Sequence, residues 1–197
     1  MNCEIITENT NLDRANMHKS CGGAINEALW HVAIVRPRYE RICRSIITSM
    51  GIDAYVATQK ELHQYASRNK REVEKIVIPR MVFVQVKNEE ERLSILKGCP
   101  YIDRFMINPS SSSRSFALVP DHQIKKLKYI LFESDEPVTY IPSPLSLGER
   151  IRILRGPLMG LEGYVRKVGG NSYVAVEIIH LGYAMTSIPA NDVETID

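Results

Sequence analysis

The sequence predicts an α+β chain in two units: an antiparallel sheet flanked by helices over residues 29–133, then a small closed β-barrel over 148–197. Three observations carry this. Apolar alternation is interleaved with helix-period stretches as far as about Glu133. Beyond about Leu147 no helical period remains, and "ERIRILRG", "EGYVRKVG", "SYVAVEIIH", "YAMTSIPA" and "DVETI" read as short strands divided by glycine turns. Between the units, residues 134–147 hold Pro137, Pro142 and Pro144 and read as a stiff, extended linker.

Each element follows from its residues. Residues 1–28 are polar and weakly periodic and contain Gly22-Gly23, which predicts a largely disordered extension. "ALWHVAIV" is apolar at nearly every position, the mark of a strand buried on both faces. Pro37 suits the first turn of a helix that runs to Gly51, with Tyr39, Ile42, Ile46 and Met50 as its packing stripe. "IDAYVATQ" is a second strand, and the charged "KELHQYASRNKREVEK" reads as a long hairpin loop. "KIVIPRMVFVQVK" gives the strongest strand signal, interrupted at Pro79. Residues 89–97 form a short helix entered after Asn88, a good N-cap. "YIDRFMI" is a strand that ends in the loop "NPSSSSRS". "VPDHQIKKLKYILF" is a helix with Ile124, Leu127 and Ile130 or Leu131 on one face and Lys125, Lys126 and Lys128 on the other.

Composition excludes more than it selects. A net charge of +2, with 44% hydrophobic and 24% charged residues, describes an ordinary globular chain with no global field for nucleic acid. Cys3, Cys21, Cys43 and Cys99 form no C-x-x-C pair, so reduced, idle thiols are expected. The start is no signal peptide by pattern, and no stretch approaches the roughly 18 apolar residues of a membrane helix. A cytoplasmic location without membrane attachment is expected. Glu89, Glu90 and Glu91 mark a helix start, where acids favour the macrodipole. His31, His63, His122 and His180 lie in separate elements, and Gly156, Gly160 and Gly163 precede no helix. Nothing assembles a nucleophile, a base and an oxyanion hole. The chain is expected to be no enzyme and to carry no cofactor, no metal and no catalytic residue. What remains is binding. Arg36, Arg38, Arg41 and Arg44 fall within nine positions and are opposed only by Glu40, and guanidinium suits phosphate and stacked bases.

The order of "ALWHVAIV", a Pro/Arg-led helix, "IVIPRMVFVQV", "CPYIDRFMI", "VPDHQI", a proline linker and "GERIRILRGPLMGLEGYVRKV" resembles the NusG family of transcription elongation factors. Residues 29–133 resemble its N-terminal NGN domain, and residues 148–197 its KOW domain, an SH3-like barrel. "GERIRILRGPLMGLEGYV" fits the KOW pattern, with Gly148, Gly156, Pro157, Gly160 and Gly163 as its turn-forming positions. Ile151, Ile153, Leu161 and Val165 are expected inside the barrel, with Arg150, Arg152, Arg155, Arg166 and Lys167 outside.

The resemblance implies a non-catalytic factor that grips the clamp helices of RNA polymerase through an apolar depression formed by Ile34, Met81, Phe83, Ile102 and Phe105. It implies contact with the upstream non-template DNA strand through Arg36, Arg38, Arg41 and Arg44. Nascent RNA and, for the barrel, a ribosomal protein are further candidate partners, and a monomer is expected. Met81 stands where the family has an aromatic residue, Arg80 replaces the glycine after the proline, and the extension is extra. These departures are similar to specialised antiterminators such as RfaH and the UpxY type of capsular polysaccharide loci. A general elongation factor and a ribosome-associated RNA-binding protein stay open as alternatives.

Overall fold

The computed structural model describes residues 29–64, 70–108, 115–142, 148–168 and 170–196. The predicted extension, the serine tip at 110–113 and the end of the linker at 143–147 lie outside them. In chain order the elements are β1 (Leu29–Val35), α1 (Glu40–Ser49), β2 (Ala54–Tyr55), β3 (Thr58–Gln64), β4 (Lys70–Ile76), β5 (Met81–Val84), α2 (Glu89–Gly98), β6 (Ile102–Phe105), β7 (Leu118–Pro120) and α3 (Asp121–Glu133). There follow β8 (Thr139–Ile141), β9 (Arg150–Ile153), β10 (Glu162–Val168), β11 (Asn171–Ile178), β12 (Gly182–Ser187), a short 3₁₀ turn and β13 (Val193–Thr195).

β1 is the spine of the first sheet because it is apolar toward both sides. It pairs antiparallel with β5, Val32 opposite Phe83 and Ile34 opposite Met81. Its other edge is shared by β6 and β7, with Ala33 opposite Phe105 and Trp30 opposite Val119. β2 extends the sheet beyond β5. Alternation then sends Ala33, Val35, Val82, Val84 and Phe105 toward α1 and α2, where they bury with Cys43, Ile47 and Ile95. Trp30, Val32 and Phe83 face the other way and pack with Ile124, Leu127, Ile130 and Leu131 of α3. Each of those buried α3 side chains contributes roughly 1.5–3 kcal/mol. Trp30 Nε1 donates to Asp121 Oδ1 at 2.8 Å, which fixes the start of α3 over β1.

The barrel sheet runs β13-β9-β10-β11-β12-β8. Ile151, Ile153, Leu161, Val174 and Val176 are buried inside it, and Val165 is half-buried against them.

Four features differ from the expectation. The buried stripe of α1 is Glu40, Cys43 and Ile47, while Tyr39, Ile42 and Met50 are exposed. A glutamate belongs in that stripe because its Oε1 accepts from the Arg80 backbone N–H at 2.8 Å. The presumed hairpin loop is mostly a two-stranded ladder, β3 with β4, whose ion pairs Lys60–Glu72 (3.1 Å) and Lys75–Glu61 (2.9 Å) replace apolar alternation. The linker contributes β8 to the barrel sheet and buries Val138. Finally, the barrel does not hang free: one apolar core continues from the first sheet through α3 into it. Tyr129 Oη donates to the carbonyls of Pro157 (3.1 Å) and Met159 (3.2 Å), and Gln123 Oε1 accepts from Ile179 N–H at 2.8 Å.

Candidate functional site

The structure divides the five apolar residues to which the resemblance assigns the depression. Ile34 and Met81 are cross-strand neighbours, both half-buried, on the sheet face that carries α3. Phe83 lies on that face too but is 0% exposed, so it serves as floor and not as contact. Ile102 and Phe105 point to the opposite face, into the core under α1 and α2. Phe105 follows its partner Ala33 by plain alternation, whereas Ile102 is turned by a register shift between Ile34 and Val35, which puts Arg104 opposite Ile34 but Ile102 opposite Val35. Met106, whose N–H donates to the Val32 carbonyl at 2.8 Å, completes the accessible strip instead. Exposed Arg104 edges it. A half-exposed strip of isoleucine and two methionines suits an adaptable protein contact. Met106 was signalled by the apolar "FMI" run, where plain alternation sets it on the face opposite to Phe105.

Beside this strip, Tyr55 stands opposite Phe83, and Lys128 Nζ lies 4.9 Å from the Tyr55 ring and 5.2 Å from Trp30. Burial holds the Tyr55 hydroxyl well above the usual phenol range, so it stays neutral.

The four arginines are all exposed and fall into two groups. Arg36 Nε lies 3.9 Å from Asp103, whose other oxygen is 3.4 Å from Arg80 Nη2. Arg38 adjoins Arg36 and has φ 72, and Arg80 has φ 62, so both adopt the left-handed backbone that favours glycine. Arg41 leans on the hairpin, its Nη2 bonded to the Glu74 carbonyl and 3.3 Å from the Glu74 carboxylate. Arg44 lies near enough to Tyr55 to act on its hydroxyl. Exposed ion pairs of this kind are worth about 0–1 kcal/mol, so a phosphate can displace them. Between Arg36 and α1, the exposed ring of Tyr39 stacks on Tyr101 with centroids 4.2 Å apart and planes at 21°.

Other groups are structural. Cys43 and Cys99 are buried free thiols. Burial, then the hydrogen bond with Cys99, pushes Cys43 up to about 12, which makes it a poor nucleophile. His31 is lowered by burial and then by Arg92, whose guanidinium sits 3.9 Å over the Phe116 ring. Among the described residues no three His, Cys, Asp or Glu cluster as metal ligands, and no helix is long and apolar enough to cross a membrane.

In the barrel, Gly156 and Gly160 turn the β9–β10 connection with φ 85 and φ 86, flanking Pro157. Gly148 and Gly163 allow close backbone approach: a Cβ on Gly163 would stand 2.7 Å from the Ala175 carbonyl oxygen. Arg150 and Arg152 are exposed but engaged with Glu162, at 2.9 and 2.7 Å. The Arg152 hydrogen bond holds the Glu162 carboxyl below its ordinary range. Arg155 and Lys167 are exposed, and Arg166 is half-buried.

A family model described as "Transcription termination factor nusG" matches residues 28–128, just over half of the chain. No curated protein matches. Among solved structures, the chain is similar to Thermotoga maritima NusG, titled "Domain interaction in Thermotoga maritima NusG", at 20% identity and TM-score 0.45, covering 85% of this chain and 97% of that one. It is also similar to two conformations of the MjSpt4:Spt5 complex, at 15% identity and TM-scores of 0.29 and 0.27, covering 85% of this chain and 96% and 97% of those. The chain belongs to the NusG family of transcription elongation factors, whose members are not enzymes.

Proposed function

We propose that this factor is an operon-specific antiterminator, acting in the cytoplasm on RNA polymerase during synthesis of a surface-polysaccharide transcript. Its polymerase contact is the strip of Ile34, Met81 and Met106 over the Phe83 floor, and its arginines meet the non-template DNA strand. The half-exposed Ile34–Met81 pair carries the reading: apolar side chains at cross-strand positions, left open on a sheet face otherwise covered by α3. Specialisation is supported at Arg80. Its φ of 62 suits the glycine usual in the family, and here buried Glu40 stabilises the non-glycine residue by accepting its N–H. The mechanism is binding without chemistry. Affinity for the elongating conformation of polymerase shifts its pause and termination equilibria.

The test is in vitro transcription across a terminator placed downstream of the cognate leader. The full chain is expected to raise full-length readthrough, and Met81→Asp is expected to abolish both readthrough and co-purification with polymerase. Phe83→Asp is the poorer variant, because a charge in a fully buried site unfolds the sheet. A rise in factor-dependent termination, or unimpaired polymerase binding by folded Met81→Asp, overturns the reading.

A further inference from the structure

We propose that Tyr39 and Tyr101 form a stacking platform for one unpaired base of single-stranded DNA, with Arg36, Arg38 and Arg80 holding the neighbouring phosphates. This rests on the nucleic-acid reading of the arginines and adds to it where a base goes.

The rings point to this by their placement. Tyr101 is half-buried and packs against the core under α1, which roots the pair. Tyr39 lies nearly parallel to it at 4.2 Å yet is 36% exposed, a large aromatic surface left open at the mouth of α1. The main chain holds both rings in place. Arg36 N–H donates to the Tyr101 carbonyl at 3.0 Å, Tyr39 N–H to the Arg36 carbonyl at 3.2 Å, and Cys43 N–H to the Tyr39 carbonyl at 2.8 Å. A pre-formed, two-ring stack loses little freedom when a third ring joins it.

Charge selects the kind of third ring. Arg36, Arg38 and Arg80 are exposed around the platform, opposed by Asp103 alone among the ion pairs there. An aromatic partner carrying a chain of negative charge answers that pattern, and a nucleobase on its phosphate backbone is such a partner. Duplex DNA does not fit, because its bases already stack on each other. Arg80 shares Asp103 with Arg36, and Arg38 directly precedes Tyr39 in the chain, so the three guanidinium groups belong to the segments that carry the platform.

The experiment is fluorescence anisotropy of the full chain with a labelled short oligodeoxynucleotide, the same backbone with abasic spacers, and the matching duplex. The wild type is expected to prefer the base-containing single strand over its abasic counterpart by roughly five- to tenfold, as stacking on one aromatic supplies. Tyr39→Ala is expected to erase that ratio and Tyr39→Phe to keep it, with both thermal midpoints checked for folding. Arg36→Gln with Arg38→Gln is expected to weaken all oligonucleotides alike and to flatten the salt slope by about 1.4, from two phosphate contacts. A base-to-abasic ratio near one with the salt slope intact overturns the platform and leaves the arginine reading standing. A ratio unchanged in folded Tyr39→Ala also overturns it. Loss of salt-dependent binding altogether overturns both.

Discussion

Gln59→Met isolates the joint where the chain leaves the first unit. Gln59 is 3% exposed on β3, and its Oε1 accepts from Val138 N–H at 2.7 Å. Its Nε2 donates to the carbonyls of Glu136 at 3.0 Å and Ser134 at 3.4 Å. Glu136 keeps a partner after the substitution, since Ser134 Oγ also reaches its carbonyl at 2.8 Å. Val138 does not. Its residue is 3% exposed, and its amide has no other acceptor among the described residues. Orphaning one buried N–H costs about 1–3 kcal/mol, and methionine fills nearly the volume of glutamine, so a loss near 2 kcal/mol is expected. Against a total stability of about 5–15 kcal/mol this is large. Urea unfolding followed by the fluorescence of Trp30, the single tryptophan, measures it. Amide exchange at Val138 gives a local reading, with protection falling by roughly tenfold or more. A midpoint shift worth under about 0.5 kcal/mol, with Val138 exchange unchanged, refutes the argued role of this side chain.

Three further outcomes are expected. Tyr129→Phe removes the hydroxyl that bonds Pro157 and Met159, weakening barrel attachment by about 1 kcal/mol; ¹⁵N relaxation showing the two units still tumbling as one to the wild-type degree would contradict this. His31 is held neutral by burial and Arg92, so the unfolded chain takes up its proton first as pH falls. Its contribution is therefore complete above about pH 6.5 and is lost below it, and His31→Leu should flatten the wild-type decline in thermal midpoint between about pH 7 and 5.5. Gly163→Ala presses a methyl against the Ala175 carbonyl, a backbone atom that cannot step aside, and should destabilise the barrel by roughly 1–3 kcal/mol in denaturant melts.

Much of the fold was legible because its elements obey simple periods. β1 reads as buried on both faces and packs apolar cores on both, though Leu29 is exposed and Ile34 half-buried, and Asn88 caps α2 by accepting from Glu91 N–H at 2.8 Å. The α3 face of Ile124, Leu127, Ile130 and Leu131 is buried as its spacing predicts. What the residues hid has physical reasons. The β3–β4 ladder is charged along its length, so no apolar period marks it. The α1 stripe is misjudged by hydrophobicity because a glutamate wins the buried position through a hydrogen bond 40 residues away in sequence. The absence of Ile102 from the apolar strip depends on a bulge, and a bulge inverts the facing of what lies beyond it without leaving a residue signature. The packing of the barrel on α3 was invisible for another reason: it is made by contacts no short window spans.

The way α3 holds the barrel has a consequence for how such a factor can diversify. Tyr129 and Gln123 grasp the Pro157 and Met159 carbonyls and the Ile179 N–H, and these groups stay the same under any exchange that does not put proline at 179. The β9–β10 connection can therefore exchange its outward residues, Met159 among them at 63% exposure, while these polar attachments persist. New recognition can be written on that loop without rewriting the joint that carries it.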